Sequence, residues 1–324
     1  MESLSEPVET IAIPLVISVP AYWRDHHIGG LVVLPAVEAL QTVARSRPDG
    51  LDGHSRRQER AFFHHPLVID PGATDIPAVH EHTRFADGRC LSRLTTLRSG
   101  RQMKFTRPME HLSVRFAPAD RDVAGIQFFQ DVPVPAGVYP RESGGEGDTF
   151  GGPLQLPREA DFPADPADSA AHAGPVFRVS ADRLYEALVP FGPAYRNLKG
   201  DVLLTETCVW ATVSGGGFPE AEGPLGSPFP LDAAMHAACA WGQRYRNRVV
   251  FPVGFNRREI FSPTRAGETY LCRITPLPDE GAVLCFDLRL QDLHRRPVET
   301  ILGLKMREIF GGKRTPPAWV REGR

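Results

Sequence analysis

The chain has 324 residues, and its 37 Lys and Arg against 39 Asp and Glu give a formal net charge of −2. This balance argues against nucleic acid as a partner, because nucleic-acid-binding domains usually carry a clear basic excess. With 42 % apolar and 23 % charged residues, the composition is that of a globular protein and excludes wholesale disorder. The length exceeds that of most single cores, so we expect two folding units or one large β-rich unit.

Proline and glycine are in surplus and are concentrated in one segment. The chain contains 31 Pro and 30 Gly, and residues 131–175 hold 8 and 7 of them respectively. Such a composition does not sustain periodic structure, so we predict a linker there. The expected organisation is an N-terminal unit at residues 1–130, the linker, a C-terminal unit at residues 176–312 and a tail at residues 313–324.

The N-terminal unit combines strand-like segments with one helical pattern. The early apolar stretch at residues 11–20 is short, contains two prolines and follows an acidic start. It therefore indicates neither a membrane span nor an export signal. Residues 35–44 carry apolar side chains at helical spacing, with Pro35 fitting the first helical position. Alternating segments at residues 91–97 and 110–116 predict strands.

The C-terminal unit repeats this plan. Residues 201–213, 269–274, 283–291 and 298–308 predict strands, and the Ala-rich residues 232–241 predict a helix. Small side chains on nearly every face of that helix indicate that a sheet encloses it closely. Two units, each with one good helix among several strands, favour an α+β fold over βαβ units.

Cysteine and histidine spacing gives no sign of a metal site. The five cysteines lack C-x-x-C or zinc spacing, and we expect them to be reduced and buried in a cytoplasmic protein. They are Cys90, Cys208, Cys239, Cys272 and Cys285. Two histidine pairs, His64 with His65 and His80 with His82, have no third ligand at suitable spacing. We expect these side chains to be solvent-exposed.

The first candidate for chemistry is His26, which lies ahead of a glycine pair, a short apolar strand and a helix that begins near Pro35. A glycine such as Gly30 permits close backbone approach, and an N–H near a helix N-terminus can polarise a carbonyl. The alternative is a turn with surface histidines. Spacing alone leaves both interpretations open.

The second candidate is the pair Asp232 and His236, four residues apart and so on one face of the predicted helix. An Asp in the first turn of a helix stabilises the helix dipole, and this role alone would account for Asp232. A buried Asp–His pair on an Ala-rich helix is costly unless it is satisfied or used. Taken alone, the pair supports a capping role and a functional role equally.

Three motifs in order resemble the dehydratase domains of polyketide and polyunsaturated-fatty-acid synthases, the double-hotdog dehydratases. The family motif H-x-x-x-G-x-x-x-x-P corresponds to His26, Gly30 and Pro35. The Y-G-P-x-F element corresponds to Phe191-Gly192-Pro193-Ala194-Tyr195, and the D-x-x-x-Q/H motif corresponds to Asp232 and His236. The resemblance covers about residues 10–312. It implies two helix-wrapping antiparallel sheets joined into one continuous sheet, with the predicted linker between the two hotdogs.

The resemblance implies a lyase that removes water from a β-hydroxyacyl thioester in polyketide or fatty-acid-type biosynthesis. His26 would remove the α-proton, Asp232 would protonate the leaving hydroxyl, and His236 would orient the Asp232 carboxyl group by a hydrogen bond. We expect His236 to be neutral. The Gly30 N–H would donate to the thioester oxygen. The remaining implied substrate-binding residues are Pro35, Phe191, Gly192, Pro193 and Tyr195.

A helix N-terminus favours the charged form of a carboxylate, which opposes the acid role of Asp232. The role requires burial among apolar groups to outweigh the helix dipole. Phe229, Leu231 and Met235 are the neighbours in sequence that could supply this burial.

The same resemblance implies no cofactor or metal of the protein itself, because the phosphopantetheine arm arrives with the substrate. The partner would be an acyl carrier protein on which a free-standing enzyme acts in trans, and a homodimer would form through the first hotdog. The Arg residues near the end of the second helix offer a surface for an acidic carrier or a phosphate, or are a solvated helix face. They are Arg244, Arg246, Arg248, Arg257 and Arg258.

Departures from the family pattern leave alternatives open. Val189 and Phe191 stand where the family often has tyrosines, and Ser227 stands where it frequently has a histidine. A double-bond isomerase or cyclase on the same fold, or a catalytically silent subunit that binds acyl thioesters, would also accommodate these changes.

Overall fold

The computed structural model describes residues 6–48, 56–99, 106–117, 176–309 and 314–322. The predicted linker at residues 131–175 lies outside the described residues, so that part of the domain division stays a prediction. None of the helices in the described parts of the chain combines the length and the hydropathy needed to cross a bilayer.

The N-terminal part wraps strands around one helix. The strands are β1 (Pro7–Ser18), β2 (His27–Ile28), β3 (Leu31–Val32), β4 (Arg57–Phe63), β5 (Asp75–Phe85), β6 (Cys90–Ser99) and β7 (Thr106–Phe116). Helix α1 (Ala36–Arg45) contacts β6 and β7. Pro35 is its N-cap rather than its first helical residue, and the Pro35 carbonyl accepts the first backbone hydrogen bonds of the helix.

The C-terminal part repeats the arrangement. Its strands are β8 (Phe177–Ser180), β9 (Leu198–Leu204), β10 (Val209–Ser214), β11 (Phe251–Ile260), β12 (Thr269–Glu280), β13 (Val283–Gln291) and β14 (Pro297–Arg307). Its helices are the short α2 (Ala181–Ala187), the long α3 (Phe229–Arg246) and the terminal α4 (Ala318–Glu322). The predicted strand at residues 201–213 is two strands, because a turn held by the Thr205 side chain and Cys208 separates β9 from β10.

Helix α3 is buried along most of its length. Every residue from Phe229 to Gln243 is buried, which small alanine side chains permit because the sheet can approach the helix backbone closely. The helix extends beyond the predicted residues 232–241 at both ends. It stops where Asn247 adopts a left-handed conformation with φ of 53°, as helix C-termini commonly do.

Twelve strands among the described residues form one antiparallel sheet in the order β1-β5-β6-β7-β4-β11-β14-β13-β12-β10-β9-β8. Strands β4 and β11 pair antiparallel and join the N-terminal and C-terminal parts. Next to this pairing the Arg258 guanidinium makes two hydrogen bonds, of 2.8 and 3.1 Å, to the Glu299 carboxylate and one of 3.5 Å to Gln58 on β4. The predicted α+β class, with two helix-wrapping sheets joined into one, is confirmed.

The expectation that His80 and His82 are solvent-exposed is wrong. Both lie on β5 and are 0 % and 2 % exposed, and neither Nε2 atom has a hydrogen-bond partner among the described residues. The prediction failed because β5 lies between β1 and β6 and both histidines face the interior. All five cysteines are free and buried, as predicted.

Candidate active site

A cavity at the junction of the two parts brings together the main candidate residues. His26 from the N-terminal part lines it together with Asp232 and His236 from α3. The volume of about 140 Å³ far exceeds the roughly 10–15 Å³ that one water needs. Most of the remaining lining is apolar, including Leu34, Val189, Phe191, Met235 and Cys239. The cavity can therefore hold an organic group against three ionisable side chains.

The backbone holds His26 on both sides. The residue follows a short 3-10 helix (Ala21–Asp25), and its N–H donates to the Trp23 carbonyl at 3.0 Å. The His26 Nδ1 atom lies 2.9 Å from the Val33 carbonyl oxygen. Because a carbonyl only accepts hydrogen bonds, Nδ1 carries the ring proton and Nε2 keeps its lone pair. The ring therefore has the tautomer that a general base requires.

Burial keeps the His26 ring neutral. Removal from water lowers the pKa of His26 to about 4, and Asp232 acts in the opposite direction whenever its carboxyl group is ionised. At neutral pH the ring is thus unprotonated, as a proton acceptor must be. It is a weaker base than the ordinary histidine that the sequence suggested.

The structure does not bring Gly30 to the cavity. Gly29 and Gly30 form the exposed turn between β2 and β3 with φ of 63° and 83°, and a two-residue turn of this kind favours glycine because both φ values are positive. Gly30 is not among the residues that line the cavity, whereas Ala36, the first residue of α1, is. The glycine pair is explained by the turn. Its role as a donor to the thioester oxygen stays a prediction without geometric support.

Asp232 and His236 meet on the buried face of α3. The Asp232 Oδ2 and His236 Nε2 atoms are 3.1 Å apart, and the residues are 5 % and 4 % exposed. The approach lies off the line of a hydrogen bond, so both atoms are buried without a hydrogen-bond partner among the described residues. Buried polar atoms are nearly always satisfied in folded proteins. Two unsatisfied atoms on residues that line one cavity are typical of a site that binds a polar ligand atom.

Tyr185 on α2 is a member of this site that the sequence analysis missed. Its hydroxyl lies 3.3 Å from His236 Nδ1 and accepts a hydrogen bond of 3.0 Å from the Leu198 N–H. Tyr185 is 2 % exposed. A tyrosine at a buried position of a short helix gives no motif, so only the three-dimensional contact reveals it.

Phe191 separates the two histidines. Its ring stacks on the His26 ring with centroids 4.5 Å apart and lies 4.8 Å from the His236 ring centroid. Phe191 also lines the cavity, whereas Gly192, Pro193 and Tyr195 do not. The predicted substrate-binding element therefore contributes one wall residue, and its other members support that wall from behind.

Asp25 fastens the Phe191 segment to the His26 segment. Its carboxylate accepts the Ala194 N–H at 2.8 Å, and its carbonyl accepts the Gly192 N–H at 2.8 Å. A Cβ atom on Gly192 would lie 2.4 Å from the Asp25 carboxylate carbon, far inside contact distance. Glycine at this position is thus required for the close approach that lets Phe191 stack on His26.

Behind the cavity lies a second buried polar group. The Tyr22 hydroxyl donates to Glu38 Oε1 at 3.0 Å, and burial raises the pKa of the Glu38 carboxyl to about 7. The Tyr195 ring lies 5.1 Å from the His26 ring, and the buried Tyr195 hydroxyl has no partner among the described residues. Burial also raises the pKa of this hydroxyl. Glu38 carries no signal in the sequence, because a carboxylate on a helix usually faces solvent.

Two of the departures from the family pattern have clear positions. Val189 lines the cavity with an apolar side chain, next to Phe191. Ser227 lies outside the cavity lining, where its hydroxyl donates to the Gly215 carbonyl at 2.7 Å and accepts the Phe229 N–H at 3.4 Å. Ser227 thus serves the start of α3.

Most of the arginines near the end of α3 make contacts within the chain. Arg244 donates to the Val320 carbonyl and so holds α4, Arg246 pairs with Asp279, and Arg258 is buried against Glu299. Helix α4, in the predicted tail, therefore packs against the C-terminal part. The solvent-facing end of the cavity carries other polar residues instead, among them His64, His65 and Arg307.

The C-terminal part of the chain is similar to a known family. Residues 163–315 match the family model described as the polyketide synthase dehydratase N-terminal domain. This match includes Asp232 and His236, and His26 lies outside it. A comparison with curated protein sequences gives no match.

Solved structures share the fold along nearly the whole chain. The dehydratase domain of a mycocerosic acid synthase-like polyketide synthase aligns with a TM-score of 0.60 and 16 % identity, over 94 % of this chain and 96 % of that one. An N-terminal dehydratase from the difficidin assembly line gives 0.60 and 12 %, over 93 % and 94 %. The bifunctional dehydratase-cyclase domain in ambruticin biosynthesis gives 0.57 and 16 %, over 92 % and 91 %.

At these identities the structural likeness establishes the fold, and the family-model match covers nearly all of the C-terminal part together with α3. The chain therefore has the double-hotdog fold of these dehydratase domains, and its residues 163–315 resemble the polyketide synthase dehydratase family.

Proposed function

We propose that the protein is a hydro-lyase that converts a β-hydroxyacyl thioester on an acyl carrier protein to the α,β-unsaturated thioester, in polyketide or fatty-acid-type biosynthesis. One observation carries this proposal: a single cavity is lined by His26 from one hotdog and by Asp232 with His236 from the other. Elimination of water needs a base for the α-proton and an acid for the β-hydroxyl. These side chains supply both.

His26 Nε2 takes the α-proton while Asp232 gives its proton to the leaving hydroxyl. The α C–H bond and the β C–O bond break, the C=C bond forms, and water leaves. His26 changes from neutral to imidazolium and Asp232 from acid to carboxylate, so an ion pair forms where two neutral groups stood. The low exposure of His26 and Asp232, 7 % and 5 %, strengthens the attraction within that pair. Return of the proton from His26 to Asp232 resets the site.

The thioester oxygen acquires negative charge during proton removal and needs a fixed donor. Ala36 lines the cavity and is the first residue of α1. Backbone N–H groups in the first turn of a helix lack an intrahelical partner and carry the positive end of the dipole. We therefore assign the oxyanion donor to the Ala36 N–H in place of Gly30.

The apolar walls suit an acyl chain, and the polar, exposed residues mark the end where a carrier-bound arm would enter. Met235, Cys239 and Val250 line the apolar part, whereas His64 and Arg307 lie toward solvent. A phosphopantetheine arm carries its own thiol, so this reaction requires no cofactor or metal of the protein. The carrier is the proposed partner, and the cytoplasm, where such carriers work, is the proposed location.

A homodimer through the first hotdog has a suitable surface in β1. This strand forms one edge of the sheet and pairs with β5 alone among the described strands. Its Val8 and Val16 are 57 % and 72 % exposed, and an exposed apolar edge strand tends to pair with another chain. Light scattering should give a dimer mass for the wild-type protein and a monomer for Val16→Lys.

The proposed activity is tested with a β-hydroxyacyl thioester on a phosphopantetheinylated carrier or on a short pantetheine analogue. Mass spectrometry should show loss of water with the wild-type protein and no loss with Asp232→Asn, which retains the shape of the side chain. His27→Ala is the matched control, because His27 is the neighbour of His26 but does not line the cavity. Loss of water at the wild-type rate by Asp232→Asn would refute the acid assignment.

One observation favours a double-bond isomerase or a cyclase as the second candidate. The cavity wall at Val189 and Phe191 carries no hydroxyl that could bind the leaving group. An isomerase would move deuterium from solvent into an unsaturated thioester without mass loss, and a cyclase would consume a hydroxy-enoyl thioester at constant mass. A catalytically silent subunit would bind the acyl carrier with equal affinity in the wild-type protein and in His26→Ala, without turnover.

A further inference from the structure

We propose that Tyr185 is a positioning residue that holds His236 in the tautomer protonated on Nε2, so that the acidic proton of Asp232 stays available to the substrate. This inference rests on the proposed dehydration at the same site. It adds a function for a residue outside every motif of the sequence.

The hydrogen bonds of the Tyr185 hydroxyl decide which way its proton points. The oxygen accepts the Leu198 N–H at 3.0 Å and lies 3.3 Å from His236 Nδ1. A backbone N–H can only donate, so the hydroxyl proton is free for the other contact. Among the described residues, His236 Nδ1 is the one acceptor recorded for that proton. Because Tyr185 is 2 % exposed, bulk water does not compete for this contact.

The opposite arrangement would leave the hydroxyl proton unsatisfied. If His236 Nδ1 carried the proton, the Tyr185 oxygen would accept from both His236 and Leu198, and its own proton would have no partner. Buried donors without acceptors are rare because they are costly. The favoured tautomer instead places the ring proton on Nε2, 3.1 Å from a carboxyl oxygen of Asp232, so the hydroxyl and the Leu198 backbone favour an unprotonated Nδ1 and a protonated Nε2 on His236.

The rings around His236 keep its orientation. The Tyr185 ring meets the His236 ring edge to face with centroids 5.7 Å apart, and Phe191 covers another side at 4.8 Å. His236 is 4 % exposed. A ring enclosed in this way cannot exchange its two nitrogens by rotation without repacking.

The tautomer matters because of the atom that faces Asp232. His236 Nε2 lies 3.1 Å from Asp232 Oδ2. With a proton on Nε2, the positive N–H end of the imidazole dipole lies beside the carboxylate that forms when Asp232 has given up its proton and stabilises its charge, although the two atoms are not aligned for a hydrogen bond. With a lone pair on Nε2, the negative end of the imidazole dipole would face that carboxylate and oppose transfer of the Asp232 proton to the leaving hydroxyl. Tyr185 thus affects the step that expels the hydroxyl rather than substrate binding.

The tautomer can be read directly by NMR of protein labelled with ¹⁵N in its histidines, with His236→Gln used to assign the His236 signals. The wild-type spectrum should show an unprotonated Nδ1 and a protonated Nε2. In Tyr185→Phe the signals should change to a mixture or to a protonated Nδ1. This readout does not depend on turnover, so absence of dehydratase activity would refute the proposed function without deciding the tautomer.

Kinetics provide the second readout. Tyr185→Phe keeps the ring and should lower kcat at least tenfold, with KM within twofold of the wild-type value. Tyr245→Phe is the matched control, because the Tyr245 hydroxyl donates to the Leu204 carbonyl at 3.0 Å away from the cavity. It should change neither kcat nor the His236 signals.

A wild-type His236 protonated on Nδ1 would overturn the proposal, and that measurement needs no variant to fold. An unchanged tautomer in Tyr185→Phe would overturn it as well. A changed tautomer with kcat within twofold of wild type would refute the claimed effect on the reaction.

Discussion

Acid should destabilise this protein chiefly through the two buried histidines of β5. Burial lowers the pKa of both His80 and His82 to about 4, against an ordinary value of about 6.5. In the unfolded chain each gains a proton as the pH falls through 6.5, but in the folded chain each stays neutral until about pH 4. The contribution of these two neutral histidines to the free energy of unfolding is therefore fully present above about pH 6.5 and is lost as the pH falls toward 4.

The size of the effect follows from these values. Between pH 7 and pH 5 each of the two histidines lowers the free energy of unfolding by about 2 kcal/mol, since one pKa unit corresponds to about 1.4 kcal/mol. His26, with its pKa lowered to about 4, contributes a similar loss. Glu38, with its pKa raised to about 7, takes up a proton on folding in this range and offsets His26. The net loss is about 4 kcal/mol, a large fraction of the roughly 5–15 kcal/mol of a typical domain.

Urea unfolding followed by tryptophan fluorescence at pH 7 and pH 5 measures this loss. A His80→Gln, His82→Gln double variant removes both titrating groups, and its stability should fall by less than about 1 kcal/mol over the same range. An equal fall of about 4 kcal/mol in the variant and the wild-type protein would refute the assignment to β5. No fall in the wild-type protein would show that these histidines are hydrated.

Three further substitutions test separate contacts. Gly192→Ala should lower kcat at least tenfold, because its Cβ would meet the Asp25 carboxylate at 2.4 Å and push Phe191 away from His26; a wild-type rate would contradict this. Asp25→Ala should destabilise the protein by about 1–3 kcal/mol by leaving the Ala194 N–H without its acceptor, and calorimetry showing an unchanged melting temperature would contradict it. Arg258→Met should cost about 3–5 kcal/mol because Glu299 then remains buried without its partner, whereas an Arg258→Met, Glu299→Leu double variant should recover most of that loss in urea unfolding.

The sequence was informative wherever a property depends on neighbours along the chain. Helical spacing located α1 to within one residue, and the Ala-rich pattern located the middle of α3 and its enclosure by a sheet. The spacing between Asp232 and His236 predicted their contact, because residues four apart share a helix face. Motif order then predicted that His26 joins them.

The rest depends on contacts between segments distant in sequence, which spacing does not encode. His80 is buried because of the order in which β5 pairs with β1 and β6. Tyr185 reaches His236 from a different helix, and Asp25 reaches Ala194 across 169 positions of sequence. The glycine pair before α1 forms a turn. Its position ahead of a helix was equally compatible with Gly30 as the donor to the thioester oxygen, a role that the geometry does not support.

The central claim is that one site in one chain uses a base from the first hotdog and an acid from the second. The most direct measurement is the rate of water loss from a β-hydroxyacyl thioester by the wild-type protein, His26→Ala, Asp232→Asn and an equal mixture of the two variants. We predict that only the wild-type protein turns the substrate over, and that both variants and their mixture are inactive. Each variant chain lacks one of the two groups of its own cavity, so mixing the chains restores no complete site. Activity in either variant, or recovery in the mixture, would contradict the account.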